Sequence, residues 1–420
     1  MTAMRRGRGR LAVMAALLSG VLALSACSGG DGEDDGNAPQ GGGGQTEADE
    51  AAEDANTSEA VISISPEDTA ENVGINSDVQ VSVEKGTLDE VVMTASETGT
   101  EVTGTLSEDE TSWAPDIQLE RATQYEVTVE ASDSEGRAAH ESATFTTVSP
   151  ENSFIGYFTP EDGSTVGVGM PISLNFDTSI ANQAEIEEAV EITTSSGQEV
   201  VGHWFSDTRL DFRPETYWEA NTQVDVELNW DGVEGAPGIY GVQDRSFSFE
   251  VGRSQVSTVN AETYEMNVVR DGETIKTIPI TAGSDETPTY NGQMVISEKH
   301  EETRMNGATV GFTDDDGEGE YDIPDVPHAM RLSTSGTFIH GNYWGGDAFG
   351  NYNTSHGCVG LADAQGANDP STDGAWFYEN SIIGDVVIVV NSDDETISPD
   401  NGLNGWNMDW SEWTAGSALS

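Results

Sequence analysis

Sulfur and positive charge are both scarce in this chain. Only Cys27 and Cys358 occur among 420 residues, which excludes the disulfide framework of a small exported module. Sixteen Lys and Arg face 76 Asp and Glu, for a net charge of −60, and Lys85, Lys276 and Lys299 are the only lysines. A surface this acidic repels phosphate, so no nucleic-acid partner is expected. His140, His203, His300 and His328 are scattered without the close spacing of a zinc site. The acidic run 314–322 lacks the alternating ligands and terminal glutamate of an EF-hand, and reads instead as a solvated lid. No metal and no cofactor are expected.

Hydrophobic residues make up 35% of the chain, alongside 47 glycines and 14 prolines. With many Val, Ile, Thr and Trp, this favours short strands and turns over long helices, and the expected fold class is mostly β. A chain of this length exceeds one ordinary core and is expected to form about two to four domains. Residues 1–27 place four arginines before an apolar run and end in Leu24-Ser25-Ala26-Cys27. The run is short for a spanning helix, and the whole reads as an export signal with a lipobox, Cys27 becoming the lipid-modified N-terminus. The body is therefore expected outside the cytoplasm, anchored to the outer face of the membrane by lipid. Residues 28–58 are glycine and acid with almost nothing to bury, an expected flexible tether.

Two segments then repeat. "SPED" at 65–68 is echoed by "TPED" at 159–162, and "PDIQLERATQYEVTV" (115–129) aligns without gaps on "PETYWEANTQVDVEL" (214–228), pairing Leu119 with Trp218 and Thr123-Gln124 with Thr222-Gln223. Each copy has about a hundred residues of alternating strands and turns, the size of an immunoglobulin-like sandwich, with expected bounds 59–149 and 150–253. Neither contains a cysteine, so Trp113, Trp204, Phe205, Trp218 and Trp230 are expected to fill cores and domain junctions by packing. "AEIEEAVEI", 184–192, is expected to be one short helix.

From 254 the texture changes. "TYEMNVVRDGETIKTIPITAG" holds two alternating runs around Asp271-Gly272, a hairpin signal. Strand-like "RLSTSGTFIHG", a loop "NTSHGC", a helical "DGAWFYENS" and the strand "GDVVIVVN" follow. Cys358 sits in a loop of small and polar residues, with no apolar run to bury it. An unpaired thiol in an oxidising compartment is a liability unless its reactivity is used. A free thiol with pKa ~8.5 is only slightly ionised at neutral pH and needs a histidine nearby to attack a carbonyl. His340 or His356 can supply it; His340 comes from a separate element and is the favoured base.

"HG" at 340–341 and "SHGC" at 355–358 resemble the signature of the L,D-transpeptidases. The resemblance extends over most of 254–420 and includes "TPTYNG", "AWFYENS" and a tail, "GLNGWNMDWSEWTAG", similar to the tryptophan-rich end of actinobacterial members. It implies a catalytic domain over 254–393 and a C-terminal extension, 394–420, packed on it. The implied activity is peptidoglycan 3→3 cross-linking through a cysteine acyl-enzyme: a tetrapeptide stem is the donor, a second stem the acceptor, and D-alanine leaves. An L,D-carboxypeptidase or stem-exchange enzyme with the same nucleophile is the first alternative, a non-catalytic wall-binding protein the second. Carbapenem β-lactams are the implied inhibitors.

The resemblance also assigns roles. Cys358 is the nucleophile, His340 the base, and the Gly341 carbonyl receives the second ring proton of His340. The amides of His356, Gly357 and Cys358 supply an oxyanion site, while Tyr321, Met305, Trp344, Ser355 and Asn353 are candidate substrate contacts. Many relatives carry serine where this chain has Gly341, and the loss of that hydroxyl is expected to matter little; relatives commonly carry asparagine or arginine where this chain has Gly360, a departure expected to weaken the support of the cysteine loop while leaving the reacting groups intact.

Overall fold

The computed structural model describes residues 57–420, apart from 77, 78, 314, 315 and 317. The expected export signal with Cys27, and nearly all of the 28–58 tether, lie outside the described residues.

Strands alternate as the sequence pattern requires. In Gln124–Asp133, Tyr125, Val127, Val129 and Ala131 point inward while Glu126, Thr128 and Glu130 face out. That strand lies in a five-stranded sheet with Ala70–Val73, Gly86–Ala95, Glu101–Val102 and Ala138–Thr147. A four-stranded sheet, including Val61–Ser65 and Gln80–Glu84, closes over the other side of a core holding Val81, Met93, Trp113 and Phe145. Between 153 and 251 two four-stranded sheets and one three-stranded sheet surround Phe154, Leu174, Trp218 and Trp230.

The repeat holds at the level of single residues. Leu119 and Trp218 are both buried, and three positions later Ala122 and Asn221 both take left-handed backbone, φ 52 and 64. Gln124 and Gln223 each begin the following strand. The 184–192 segment is split: Gln183–Glu188 is helical and Val190–Thr194 is a strand on Gln223–Asn229. The β-branched Val190 and Ile192 find a sheet neighbour there, which outweighs the weak helical preference of so short a segment.

The third body is a nine-stranded sheet whose strands come from 255–390. Asp271 and Gly272, φ 50 and 84, form the two-residue turn joining Glu265–Arg270 to Glu273–Thr281, with Arg270 opposite Glu273. The helix Asp373–Asn380 starts at Thr372, whose hydroxyl accepts the Ala375 N–H at 3.2 Å. One pairing positions the site: Phe338–Asn342 runs parallel to Val359–Ala362, with His340 opposite Gly360.

The C-terminal extension was expected to pack on the catalytic domain, and the structure adds a second set of contacts. Asn404 does bond that domain, accepting the Val295 N–H at 2.9 Å and donating to the Leu332 carbonyl at 2.9 Å. The tryptophans instead reach the second sandwich. Trp406 donates to the Gly169 carbonyl at 2.7 Å and Trp413 to that of Val201 at 2.9 Å. The buried Arg213 guanidinium lies 4.7, 5.4 and 4.3 Å from the ring centroids of Trp406, Trp410 and Trp413. Arginine stacked on aromatic faces buries its charge without a carboxylate partner. The tail is therefore a clamp between two domains.

Candidate active site

Side chains alternate along a strand, so the register that sets His340 opposite Gly360 also fixes where Cys358 lies. Two residues before Gly360, the cysteine falls on the face of the sheet that carries His340. Cys358 is half-buried and free. It shares with His340 a cavity of about 200 Å³ lined also by Met305, Tyr321, Trp344, Ser355 and His356.

His340 is buried, and its Nδ1 donates to the Gly341 carbonyl at 2.7 Å. That bond fixes the tautomer, leaving Nε2 as the nitrogen that can take a proton. Burial lowers the pKa of His340 below the ordinary 6.5, against smaller raising effects from the Gly341 carbonyl and Asp363. Burial also pushes the Cys358 thiol up to about 11, with the Phe338 backbone N–H acting the other way. Both shifts favour a resting pair of thiol and neutral imidazole over a preformed ion pair. The thiol donates to the Gly336 carbonyl at 3.8 Å.

The cysteine loop is held from several sides. Ser355 Oγ donates to the Cys358 carbonyl at 2.5 Å and receives the Gly357 N–H at 3.2 Å. Ser355 N–H bonds the Ala282 carbonyl at 3.0 Å. Gly357 has φ +103, a conformation only glycine adopts without strain. Of the three amides expected to form an oxyanion site, that of Gly357 is thus engaged inside the loop. Asn353 differs from expectation altogether. Its amide oxygen accepts the Ala282 N–H at 2.8 Å and its nitrogen donates to the Ala261 carbonyl at 3.0 Å. It is a staple at the base of the loop, absent from the cavity wall.

His356 is also occupied. Its Nε2 lies 3.1 Å from Glu320 Oε2, and its ring meets those of Phe312 and Tyr321 at 5.4 and 5.1 Å. These partners come from the connection between Glu298–Asn306 and Asp322–Arg331, so the lid rests on the cysteine loop through this histidine. The Tyr321 hydroxyl is pushed up to about 12, by burial first and then by the nearby Cys358 and Glu320 charges. It is a neutral donor at any physiological pH. Trp344 stacks on His340 at 5.8 Å with planes 20° apart, meets the Tyr343 ring edge-to-face at 4.7 Å, and is otherwise exposed. Among the described residues no group of three or more His, Cys, Asp or Glu is placed to hold a metal ion.

Comparison with known proteins identifies the family. The family model described as the L,D-transpeptidase catalytic domain matches residues 254–389, and that of a bacterial Ig domain matches 70–234. L,D-transpeptidase 2 of Mycobacterium tuberculosis (strain CDC 1551 / Oshkosh) is 33% identical over 357 residues, covering 85% of each chain. The chain belongs to the L,D-transpeptidase family. L,D-transpeptidase 5 of M. tuberculosis (strain H37Rv) is 31% identical over 366 residues, covering 85% of this chain and 77% of its own. An LD transpeptidase solved in complex with imipenem is 25% identical, covers 57% of this chain and 100% of its own, and has a TM-score of 0.47.

In this L,D-transpeptidase two glycines of the paired strands each meet a side chain from the neighbouring segment. A Cβ at Gly360 would lie 3.1 Å from Asn342 Nδ2 and 3.0 Å from Thr281 Cγ2. Asn342, on the next strand, thus fills the space that a side chain at 360 would take. A Cβ at Gly341 would lie 2.0 Å from Asp363 Oδ2, so the carboxylate occupies the space that a side chain at 341 would take. Asn342 also lines the cavity and escaped the sequence reading. The signal was available, because Asn342 is two residues beyond His340 in one strand and must share its face.

Proposed function

We propose that this L,D-transpeptidase forms 3→3 cross-links through an acyl-enzyme on Cys358, with a tetrapeptide stem as donor, and that lipid on Cys27 holds it at the outer face of the membrane. The supporting observation is that one cavity contains a cysteine and a buried histidine whose second nitrogen is already committed to the Gly341 carbonyl. In acylation the Sγ proton passes to His340 Nε2 while sulfur bonds the donor carbonyl carbon. The tetrahedral oxyanion takes N–H groups of the 356–358 turn, Gly357 giving up its long bond to Ser355. The C–N bond to D-alanine then breaks, and the leaving nitrogen receives the proton from Nε2. An acceptor amine attacks the thioester, loses its proton to Nε2, and expels the sulfur, which recovers it.

Incubation with purified disaccharide-tetrapeptide is expected to give dimers linked between third-position residues, with release of free D-alanine, seen by mass spectrometry. Tripeptide products alone would assign a carboxypeptidase instead.

A β-lactam presents Cys358 with a strained amide of the same kind, so a carbapenem is expected to add one drug mass at this residue. The pH profile of that acylation follows from the two shifts. The base must be neutral, and His340 is lowered, so the rate is lost only as pH falls below the ordinary 6.5 of histidine. The thiol stays protonated to about 11, so the rate is expected to be flat from pH 7 to 10. A rise of about tenfold per unit up to pH ~8.5, as a free thiol shows, would refute the neutral-pair account.

A further inference from the structure

Beside His340 lies a buried polar cluster that the transfer chemistry leaves unused. The side chain of Asp363 is 0% exposed and that of His328 is 5% exposed. Asp363 accepts three hydrogen bonds: from His328 Nδ1 on Oδ2 at 2.8 Å, and on Oδ1 from the Thr372 hydroxyl at 2.8 Å and the Ala364 N–H at 2.7 Å. Its oxygens act only as acceptors, as a carboxylate must. Two glycines make room for it, since a Cβ at 341 or 374 would lie 2.0 or 2.1 Å from Oδ2. His328 takes left-handed backbone, φ 47, to occupy this place, which non-glycine residues adopt only at a cost.

Capping of the Asp373–Asn380 helix accounts for Thr372 but not for a buried charge; a neutral acceptor would serve the cap as well. What the charge adjoins is the Gly341 peptide, and the Gly341 carbonyl is the group that holds His340 Nδ1–H. The other ionisable groups about the cavity are Cys358, Tyr321 and His356, with Glu320 bonded to the last. Asp363 is the anion set directly against the peptide that carries the base.

We infer that Asp363, held by His328, is a positioning residue for His340: its carboxylate lies against the Gly341 peptide and favours the imidazolium that forms as the Cys358 proton moves to Nε2. The opposition of the Asp363 charge to the burial of His340 runs in the same direction. This inference rests on the transfer reading above.

The test is Asp363→Asn in the full chain, with carbapenem acylation of Cys358 followed from pH 4 to 8. His340 is titrated in parallel by NMR in a Cys358→Ala background. The limiting acylation rate is expected to fall about tenfold, with the half-saturating drug concentration unchanged. The acid limb and the His340 titration are expected to move down by about one pH unit. An unchanged rate and limb would overturn the inference, and so would a slower rate with an unmoved His340 titration, which marks a merely structural residue. Should Asp363→Asn not fold, His328→Gln keeps the carboxylate while altering its support. It is expected to leave the His340 titration in place or raise it, and a fall would overturn the inference. A wild-type enzyme that took no adduct on Cys358 would sink the transfer reading instead, while the NMR titration would still report on Asp363.

Discussion

Cys358→Ala is expected to abolish both reactions proposed for the enzyme: no drug mass is added by a carbapenem, and dimer formation from disaccharide-tetrapeptide falls by at least about 10⁴-fold. The size of the effect follows from the absence of a substitute. Cys358 is the one free cysteine among the described residues, and no serine or threonine stands in its place relative to His340. Ser355 and Thr354 line the same cavity. Ser355 spends its hydroxyl on the Cys358 carbonyl, and Thr354 Oγ1 lies 3.3 Å from Thr281 Oγ1. Removing the sulfur also leaves the loop intact, because Ser355, Asn353 and Gly357 hold it through backbone bonds that do not pass through Sγ. The variant should therefore keep its melting temperature and bind donor. Residual turnover within a hundredfold of wild type, in a folded variant, would remove the acyl-enzyme from the mechanism.

Much of this site was legible because it is local in sequence or follows from period. The motif "SHGC" contains its own turn, and Gly357 at φ +103 explains why that position is glycine. The hairpin at Asp271-Gly272 and the repeated Leu119 and Trp218 were equally local. What was not legible depends on which strands become neighbours. The parallel pairing of Phe338–Asn342 with Val359–Ala362 cannot be read from either strand, yet it alone sets Asn342 against Gly360 and Asp363 against Gly341. His328 looked like one of several scattered histidines because its partner lies 35 positions away, on a segment beyond the cysteine. Asn353 was misassigned for a related reason: its place in the motif suggested a substrate contact, whereas its amide oxygen and nitrogen each bond a backbone group brought in by another strand.

Trp413→Ala is expected to destabilise the protein by about 3–5 kcal/mol from the lost ring and its cavity, read from urea unfolding, and to free the tail for limited proteolysis. Trp413 is fully buried. It packs on His203 and Phe205 at 4.9 and 5.8 Å, and a Cβ at Gly405 would lie 2.5 Å from its ring, so little backbone can relax into the void. The helix that carries it, Trp410–Ala415, is six residues long and cannot persist without that anchor. Arg213 loses most by the change. Burial already lowers its pKa to about 10 and its Nε has no hydrogen-bond partner, so the tryptophan faces, together with the Pro214, Glu215 and Met408 carbonyls that its terminal nitrogens reach, offset a charge held away from water. Trp413→Phe keeps a ring over the guanidinium but loses the bond to Val201, and should recover more than half of the deficit. Because the same tail bonds Val295 and Leu332 through Asn404, its release should also loosen the catalytic domain from the second sandwich. A Trp413→Ala protein within 1 kcal/mol of wild type, with its tail still protected, would show that the clamp is held without Trp413, by Trp406, Asn404 and the bonds of the tail to Arg209, Arg213 and Glu187.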